Sequence, residues 1–338
     1  NPAAFVDALF QCHLYTGTAQ ARSIVNGIDL SGKGGLIWSK KRNGATNHSL
    51  FDSERSNANA VLKSNATNAQ YADNAHGVQF NNNGWSLTGT DTTMNANGDT
   101  YVNWTFRKQP KFFDIQTWTG DGGGARNISH NLGSTPGMML VKRLDGTEDW
   151  GVYHRKGNGG TNDEQYYALL HNNQGFSDAD FFDDTAPTST QFTVGSGRNI
   201  SSRSYIAYLF AHNDDDGGFG EPGDQDIIKC GATGTYSAGT PLAVNLGFEP
   251  QWILVKQSDA SDGWYITDVM REMAVDEGSY LLANSNSAEN NTNNYGVAAP
   301  TPTGFILDPG SSALLAGGEF IYMAIRRGGM KTPTAASS

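Results

Sequence analysis

An all-β fold of three tandem β-sandwich repeats, jelly-roll-like in type, is what this sequence predicts. Three observations predict it. One set of landmarks recurs three times in the same order, apolar residues alternate with a period of two, and no stretch keeps a helical period beyond two turns. The 338 residues suit two or three domains of ordinary size. At 17% charged and 37% hydrophobic, with 41 glycines, the chain has material for packed cores and many turns, not the profile of a disordered polymer.

The elements follow in chain order. An opening landmark, Tyr15-Thr16-Gly17-Thr18, returns as Trp118-Thr119-Gly120-Asp121 and as Ala232-Thr233-Gly234-Thr235. Next comes Leu36-Ile37-Trp38-Ser39-Lys40, matched by Met138-Met139-Leu140-Val141-Lys142 and Trp252-Ile253-Leu254-Val255-Lys256. The last two are each preceded by one turn, Asn131-Leu132-Gly133 with Pro136 and Asn245-Leu246-Gly247 with Pro250. Trp150 aligns with Trp264 and with His48, and Val61-Leu62 aligns with Leu169-Leu170 and Leu281-Leu282. A late strand reads Gly84-Trp85-Ser86-Leu87, Gln191-Phe192-Thr193-Val194 and Gly304-Phe305-Ile306-Leu307. The closing strand carries the sharpest alternation: Val102, Trp104 and Phe106; Ile206, Tyr208 and Phe210; Ile321, Met323 and Ile325. Successive strand side chains point to opposite faces, so each set defines one buried face with a fixed register. The repeat length of about 102 to 115 residues is too long for solenoid or propeller units and fits a self-contained sandwich. Asp268 to Glu277 is the one short helix expected.

Boundaries are expected at 1–110, 111–220 and 221–330, with a fraying tail over 331–338. Gln109-Pro110 cannot continue a sheet, and Asn213 to Gly223 is a linker by composition. The chain opens on Asn1-Pro2, so its numbering is expected to start after processing or within a longer polypeptide.

A net charge of −11 and the absence of a basic stripe argue against nucleic acid as a partner. No apolar run reaches the length of a membrane span, so membrane insertion is not expected. The two cysteines, Cys12 and Cys230, fall at unmatched places in the repeats and read as small buried hydrophobes.

Asn47-His48-Ser49-Leu50-Phe51-Asp52-Ser53-Glu54-Arg55, Gly84-Trp85-Ser86-Leu87-Thr88-Gly89 and Asn97-Gly98-Asp99-Thr100-Tyr101-Val102-Asn103-Trp104 resemble a repeat domain of virion proteins from marine tailed bacteriophages. His130-Asn131-Leu132-Gly133 with Pro136, Lys142-Arg143 and Trp150 is similar to the same unit. The resemblance covers nearly the whole chain and departs from the pattern at Ser53-Glu54-Arg55-Ser56, where a Gly commonly follows the Arg. It implies a tail-fibre-like or spike-like protein of the virion surface, and it brings no catalytic signature.

Chemistry has few footholds. Asp52, His154 and Asp268 occupy equivalent positions yet differ between repeats, which disfavours one active site shared by all copies. Gly122-Gly123-Gly124 lacks a following Walker lysine and reads as a strand connection. His130 and His154 read as hydrogen-bonded residues at sheet ends. The acidic run Asp214, Asp215, Asp216, Glu221, Asp224 and Asp226 offers the oxygen ligands that Ca²⁺ prefers, with a solvated charge run as the plainer reading. Phe181, Phe182, Asp183 and Asp184 combine rings and carboxylates, as sugar sites do; the alternatives are a strand whose Phe side chains pack inward, or a subunit contact. Tyr205, Ala207 and Leu209 leave the second closing strand apolar on its other face as well, so that face is expected to meet another surface.

The function expected from all this is non-enzymatic display on the virion surface, as part of a tail fibre or spike that attaches to the host. Expected partners are copies of the chain itself in a homo-oligomer such as a trimer, other virion proteins and a host surface glycan. The alternatives are a capsid decoration or structural spacer, a polysaccharide-degrading tailspike, and a cellular lectin.

Overall fold

The structure is a computed structural model that describes residues 4–55, 59–72, 77–88, 91–221, 223–275, 278–291, 296–308 and 315–328. The tail 331–338 lies outside the described residues, as do Ser56, Gly89, Pro222 and Glu277 from the features read above. Almost every regular element is a strand, and the three repeats are β-sandwiches.

Each repeat has a large antiparallel sheet with the same strand order: opening, closing, middle, outer. The opening strands are Phe10–Thr16, Phe113–Thr119 and Ile228–Tyr236. The closing strands are Thr100–Arg107, Ser204–Ala211 and Gly318–Arg326; the middle strands are Gly35–Lys41, Pro136–Arg143 and Pro250–Gln257. The outer strands are Ser49–Asp52, Gly151–His154 and Trp264–Asp268. A smaller sheet covers one face in each repeat: Arg22–Val25 with Gly84–Leu87 and Val78–Asn81, Arg126–Ser129 with Gln191–Val194, and Leu242–Asn245 with Gly304–Leu307 and Ala298–Thr301. Extended, alternating, β-branched and aromatic segments separated by Gly-rich turns form these ladders because each pleated face has apolar cover to pack against.

The registers test the sequence alignment residue by residue. Leu36, Met138 and Trp252 pair with Asp52, His154 and Asp268, so those three positions are equivalent. His48, Trp150 and Trp264 precede them by the same step. The mid-repeat ladder is offset from the alignment expected above, since Leu62, Ala168 and Leu281 share the place opposite Leu50, Val152 and Ile266. The expected helix from Asp268 is only a 3-10 turn, Val269–Arg271, capped by the Asp268 carboxylate. A four-residue α-helix at Thr92–Asn95, capped by Asp91, has too few residues for a helical period to register in sequence.

The larger correction concerns which face is the sandwich interior. In the first repeat Tyr101, Ile37 and Phe51 pack with Trp85 and Ile24 of the small sheet. Val102, Trp104 and Phe106 instead join a second core together with Tyr208 and Phe210 of repeat 2 and Trp252, Met323 and Ile325 of repeat 3. In the third repeat Phe320, Tyr322 and Ala324 face the small sheet and Ile321, Met323 and Ile325 face the shared core. In the second repeat Tyr205 stacks on Trp118, which in turn meets Phe192 of the small sheet. Tyr205, Ala207 and Leu209 therefore belong to that repeat's own sandwich, and the surface that the doubly apolar strand meets is the rest of the same chain. In repeat 1 the sandwich-facing alternates of the closing strand include Asn103 and Thr105, both fully buried, with the Thr105 hydroxyl donating to Asn103 Oδ1 and accepting from Asn26. Their polarity hid that face from a pattern reading.

At the centre, rings from all three repeats touch. Phe106 lies 5.5 Å from Phe210 and 6.0 Å from Trp252, and Trp104 lies 6.4 Å from Trp252 between ring centroids. Aromatic pairs at such distances and tilts add about 0.5–1.5 kcal/mol each beyond the area they bury. The segment from Asn213 onward is also built into the structure: Asn213 is fully buried, donating to Lys111 O and accepting from the amides of Ile227 and Ile228.

Candidate functional site

The polar groups that sequence reasoning singled out for chemistry converge at the junctions between repeats. Backbone bonds set the pattern: Gln70 N donates to Leu144 O, Phe176 N to Ser258 O and Glu289 N to Arg42 O. The three donors are equivalent, as are the three acceptors, so the contact runs 1–2, 2–3 and 3–1 and closes. A heterologous contact that closes in this way makes a ring, here within one chain.

Side chains repeat the pattern with different chemistry. Trp150 Nε1 donates to Lys63 O at 2.9 Å, Trp264 Nε1 to Leu169 O at 3.0 Å, and His48 Nε2 meets Leu282 O at 3.0 Å. Lys63, Leu169 and Leu282 hold the same place in the three registers. A second set joins each closing strand to the end of the preceding outer strand. Tyr208 donates to Asp52 at 2.7 Å, Trp104 Nε1 donates to Asp268 at 2.9 Å, and His154 Nε2 meets Tyr322 O at 3.1 Å. Where repeat 3 carries Met323 in place of a donor, His154 turns to a backbone carbonyl instead.

Asp52 and Asp268 are held alike. Arg55 Nε approaches Asp52 at 2.6 Å and Arg271 Nε approaches Asp268 at 2.7 Å, with both pairs buried. Arg271 also reaches Glu289 at 3.2 Å and Ile266 O at 3.1 Å. Buried charges persist only when paired and hydrogen-bonded, and these are. The hydroxyl of Tyr208 is pushed well above its ordinary pKa by burial and by the neighbouring Asp52 carboxylate. Burial lowers the imidazoles of His48 and His154 to about 3, so both are neutral in the folded chain. Lys40, Lys142 and Lys256 occupy one equivalent position and burial brings each down to about 8. Two of them bond across a junction, Lys142 to Thr67 O and Lys256 to Asn173 O.

The expected ligand sites fare differently. Phe181 and Phe182 are core residues, 5% and 2% exposed. Phe181 stacks on Tyr167 at 5.2 Å and lies under the Arg198 guanidinium at 4.2 Å, and Phe182 meets Tyr153 at 5.8 Å. The Phe181 ring is thus engaged within the protein by Tyr167 and Arg198. Asp183 and Asp184 form the turn beyond them in left-handed backbone. The acidic run does not converge on one point. The Asp226 carboxylate accepts from the amides of Asp215 and Gly217 and pairs with Lys229 at 3.2 Å, and Asp216 accepts from the Asp214 amide at 3.1 Å. Among the described residues, Glu221 and Asp224 included, no three His, Cys, Asp or Glu side chains are grouped to hold a metal ion. The residues present do not fit calcium. Cys12 and Cys230 are free and buried, and His130 bonds Thr188 O and the Leu132 amide at a sheet end.

Sequence reasoning missed an open cavity of about 390 Å³ on the seam of repeats 1 and 2. Its wall combines Glu54 and Gln70 of the first repeat with Thr117, Trp118, Thr119 and Ser204 of the second. Gln70 is bonded by Arg55 at 3.4 Å and Glu54 by Lys108 at 2.8 Å, so a planar amide and a planar carboxylate share the wall with the hydroxyl residues Thr117, Thr119 and Ser204. Such a wall can form several hydrogen bonds to a polar, hydroxyl-rich ligand. Nothing local marks it in sequence, because the two halves lie far apart along the chain.

No curated protein and no solved structure matches the chain. A family model does match, over residues 7–327, which takes in all three repeats. The chain therefore belongs to the family described as Domain of unknown function (DUF7483).

Proposed function

We propose that this chain is a non-enzymatic surface protein of a bacteriophage virion, serving as a tail-fibre or spike segment in host attachment. The observation that supports this most is the use of the buried polar groups. Asp52, His154, Asp268, His48, Trp150 and Trp264 all bond across repeat junctions, where they make a stiff three-lobed body and face no substrate. On this reading the seam cavity, with Glu54, Gln70, Thr117 and Ser204, takes a host surface glycan through hydrogen bonds, and copies displayed together on a particle raise a weak contact to a useful avidity. Assembly with further copies or with other virion proteins belongs to the same proposal, through the exposed edges of the large sheets.

The alternative within the same class is a capsid decoration or spacer, which the rigid closed ring would suit equally. Two measurements separate the readings. Labelled antibody on intact particles places the chain on the tail or on the capsid. A host-polysaccharide binding assay on the purified protein, with Glu54→Ala and Gln70→Ala as controls, is expected to show binding that both variants weaken. Capsid labelling together with no binding would overturn the attachment reading, and turnover of the polysaccharide would overturn the non-enzymatic one.

A further inference from the structure

The three junctions of the ring are equivalent in backbone but not in chemistry. The junction of repeats 1 and 2 is closed by Trp150 and by the Tyr208–Asp52 bond, and neither contact involves an imidazole. Both junctions of repeat 3 carry a buried histidine. His48 of repeat 1 reaches Leu282 O of repeat 3, and His154 of repeat 2 reaches Tyr322 O of repeat 3.

Each of these rings is fixed in one tautomer by its two partners. Nε2 lies against a carbonyl and must carry the hydrogen. Nδ1 lies against a donor, the indole Nε1 of Trp38 at 2.9 Å for His48 and the amide of Lys156 at 3.1 Å for His154, and must be the acceptor. An imidazolium has donors at both nitrogens. Protonation would set N–H against N–H at Nδ1 in both places, in sites shut off from bulk solvent, since both residues are fully buried.

Backbone hydrogen bonds with Leu282 and Ser285 at His48 and with Tyr322 at His154 favour the added charge, but burial outweighs them and the charged neighbours oppose it. Lys40 on the neighbouring middle strand and Arg271 of repeat 3 bear on His48, and Trp104 stacks beside it. Asp268 and Glu289, the carboxylates nearest Arg271, are already bonded to it. Around His154 stand Arg155, Lys156 and His212, with Cys230 on the opening strand of repeat 3. His212 itself sits between the Arg155 guanidinium at 2.9 Å and the Cys230 amide at 3.1 Å, so it too faces donors on either side.

We propose that repeat 3 is held to the other two repeats by an acid-labile latch, in which His48 and His154 must be neutral for the ring to close and release repeat 3 when they take up protons. The sign follows from linkage. In the opened state both imidazoles recover an ordinary affinity for protons, near pH 6.5, so opening binds two protons that the closed ring excludes. Below that value the opening equilibrium grows about tenfold per pH unit for each histidine, hence about 10⁴-fold at pH 4.5 relative to neutral pH.

Hydrogen exchange on the full chain reads this directly. After correction for the intrinsic rate, protection at Glu289 and Phe176, whose amides cross the two junctions of repeat 3, is expected to fall by orders of magnitude between pH 6.5 and 4.5, while Gln70, whose amide crosses the seam of repeats 1 and 2, keeps its protection. In the double variant His48→Gln, His154→Gln, whose amides can donate to the same carbonyls without titrating, the pH dependence should shrink to the part that His212, bonded to the Cys230 amide of repeat 3, supplies. If that variant does not fold, imidazole nitrogen resonances of the unaltered chain decide: both histidines should gain their proton only at the pH where repeat 3 loses protection. Titration of either ring with protection intact, or equal loss of protection at all three junctions, would overturn the proposal.

Discussion

Consider the removal of one carboxylate, Asp268→Ala. Asp268 accepts from Arg271 Nε at 2.7 Å and Trp104 Nε1 at 2.9 Å through one oxygen, and from the amides of Met270 and Arg271 at 3.1 and 3.2 Å through the other. The substitution leaves a guanidinium with no exposed surface, held only by Glu289 and Ile266 O, and strands the indole N–H of Trp104 in an aromatic core. Breaking a buried pair by removing one partner costs about 3–5 kcal/mol, and an orphaned buried donor about 1–3 kcal/mol. These costs share atoms and do not add in full, and Glu289 retains part of the charge compensation, so the expected loss is about 4 kcal/mol. For a cooperative unit of this size, at about 2 cal/mol/K per residue of unfolding entropy, that corresponds to a fall in Tm of about 6 °C. Urea denaturation followed by tryptophan fluorescence measures the first quantity and calorimetry the second. The double variant Asp268→Leu, Arg271→Met removes both charges and should lie closer to the unaltered protein than Asp268→Ala does, because no buried charge is left unpaired. An Asp268→Ala protein within about 1 kcal/mol of the original, or a double variant less stable than the single one, would refute the claim that this pair governs the junction.

Other perturbations test separate parts of the structure. Gly151→Ala would place a Cβ 1.8 Å from Cζ of Phe181, which Tyr167, Phe182 and Arg198 hold from the other sides. A loss of about 1–3 kcal/mol in urea is expected from overpacking, and Phe181→Leu in the same chain should recover part of it. The three lysines that burial brings down to about 8 release protons in the folded chain while the unfolded chain still holds them. Stability in urea should therefore rise between about pH 8 and pH 10 and turn over above that, where unfolded tyrosines ionise but the buried Tyr101, raised to about 12, does not. Lys142→Met should flatten that rise. Addition of millimolar calcium, or its removal by a chelator, should leave Tm unchanged within error, because the Asp226 carboxylate is bonded to two amides and Lys229. A calcium-dependent rise of several degrees would reinstate the acidic run as a metal site.

The equivalences that carry the ring were readable before any coordinates. Matching His48 with Trp150 and Trp264, and Asp52 with His154 and Asp268, needs only the order and spacing of landmarks, and the registers place both sets at common positions. Short segments were less secure. The mid-repeat pair is two residues long in repeats 1 and 3, too brief for alternation to fix its phase, and the alignment there was displaced. The seam cavity left no mark on the sequence, since Gln70 and Ser204 approach each other only when two repeats dock.

Period, turn chemistry and internal repetition are local properties, so the amino-acid order was enough to specify an all-β chain of three related sandwiches. Alternation says that a strand has two faces and how apolar each is; it does not say what lies across from either. Val102, Trp104 and Phe106 could have faced their own small sheet or a foreign surface, and it took the docking of partners such as Trp104 with Asp268, 164 positions apart, to put them at a centre shared by the whole chain. Burial of that kind depends on which surfaces meet, a property of the assembled fold that no window of sequence contains.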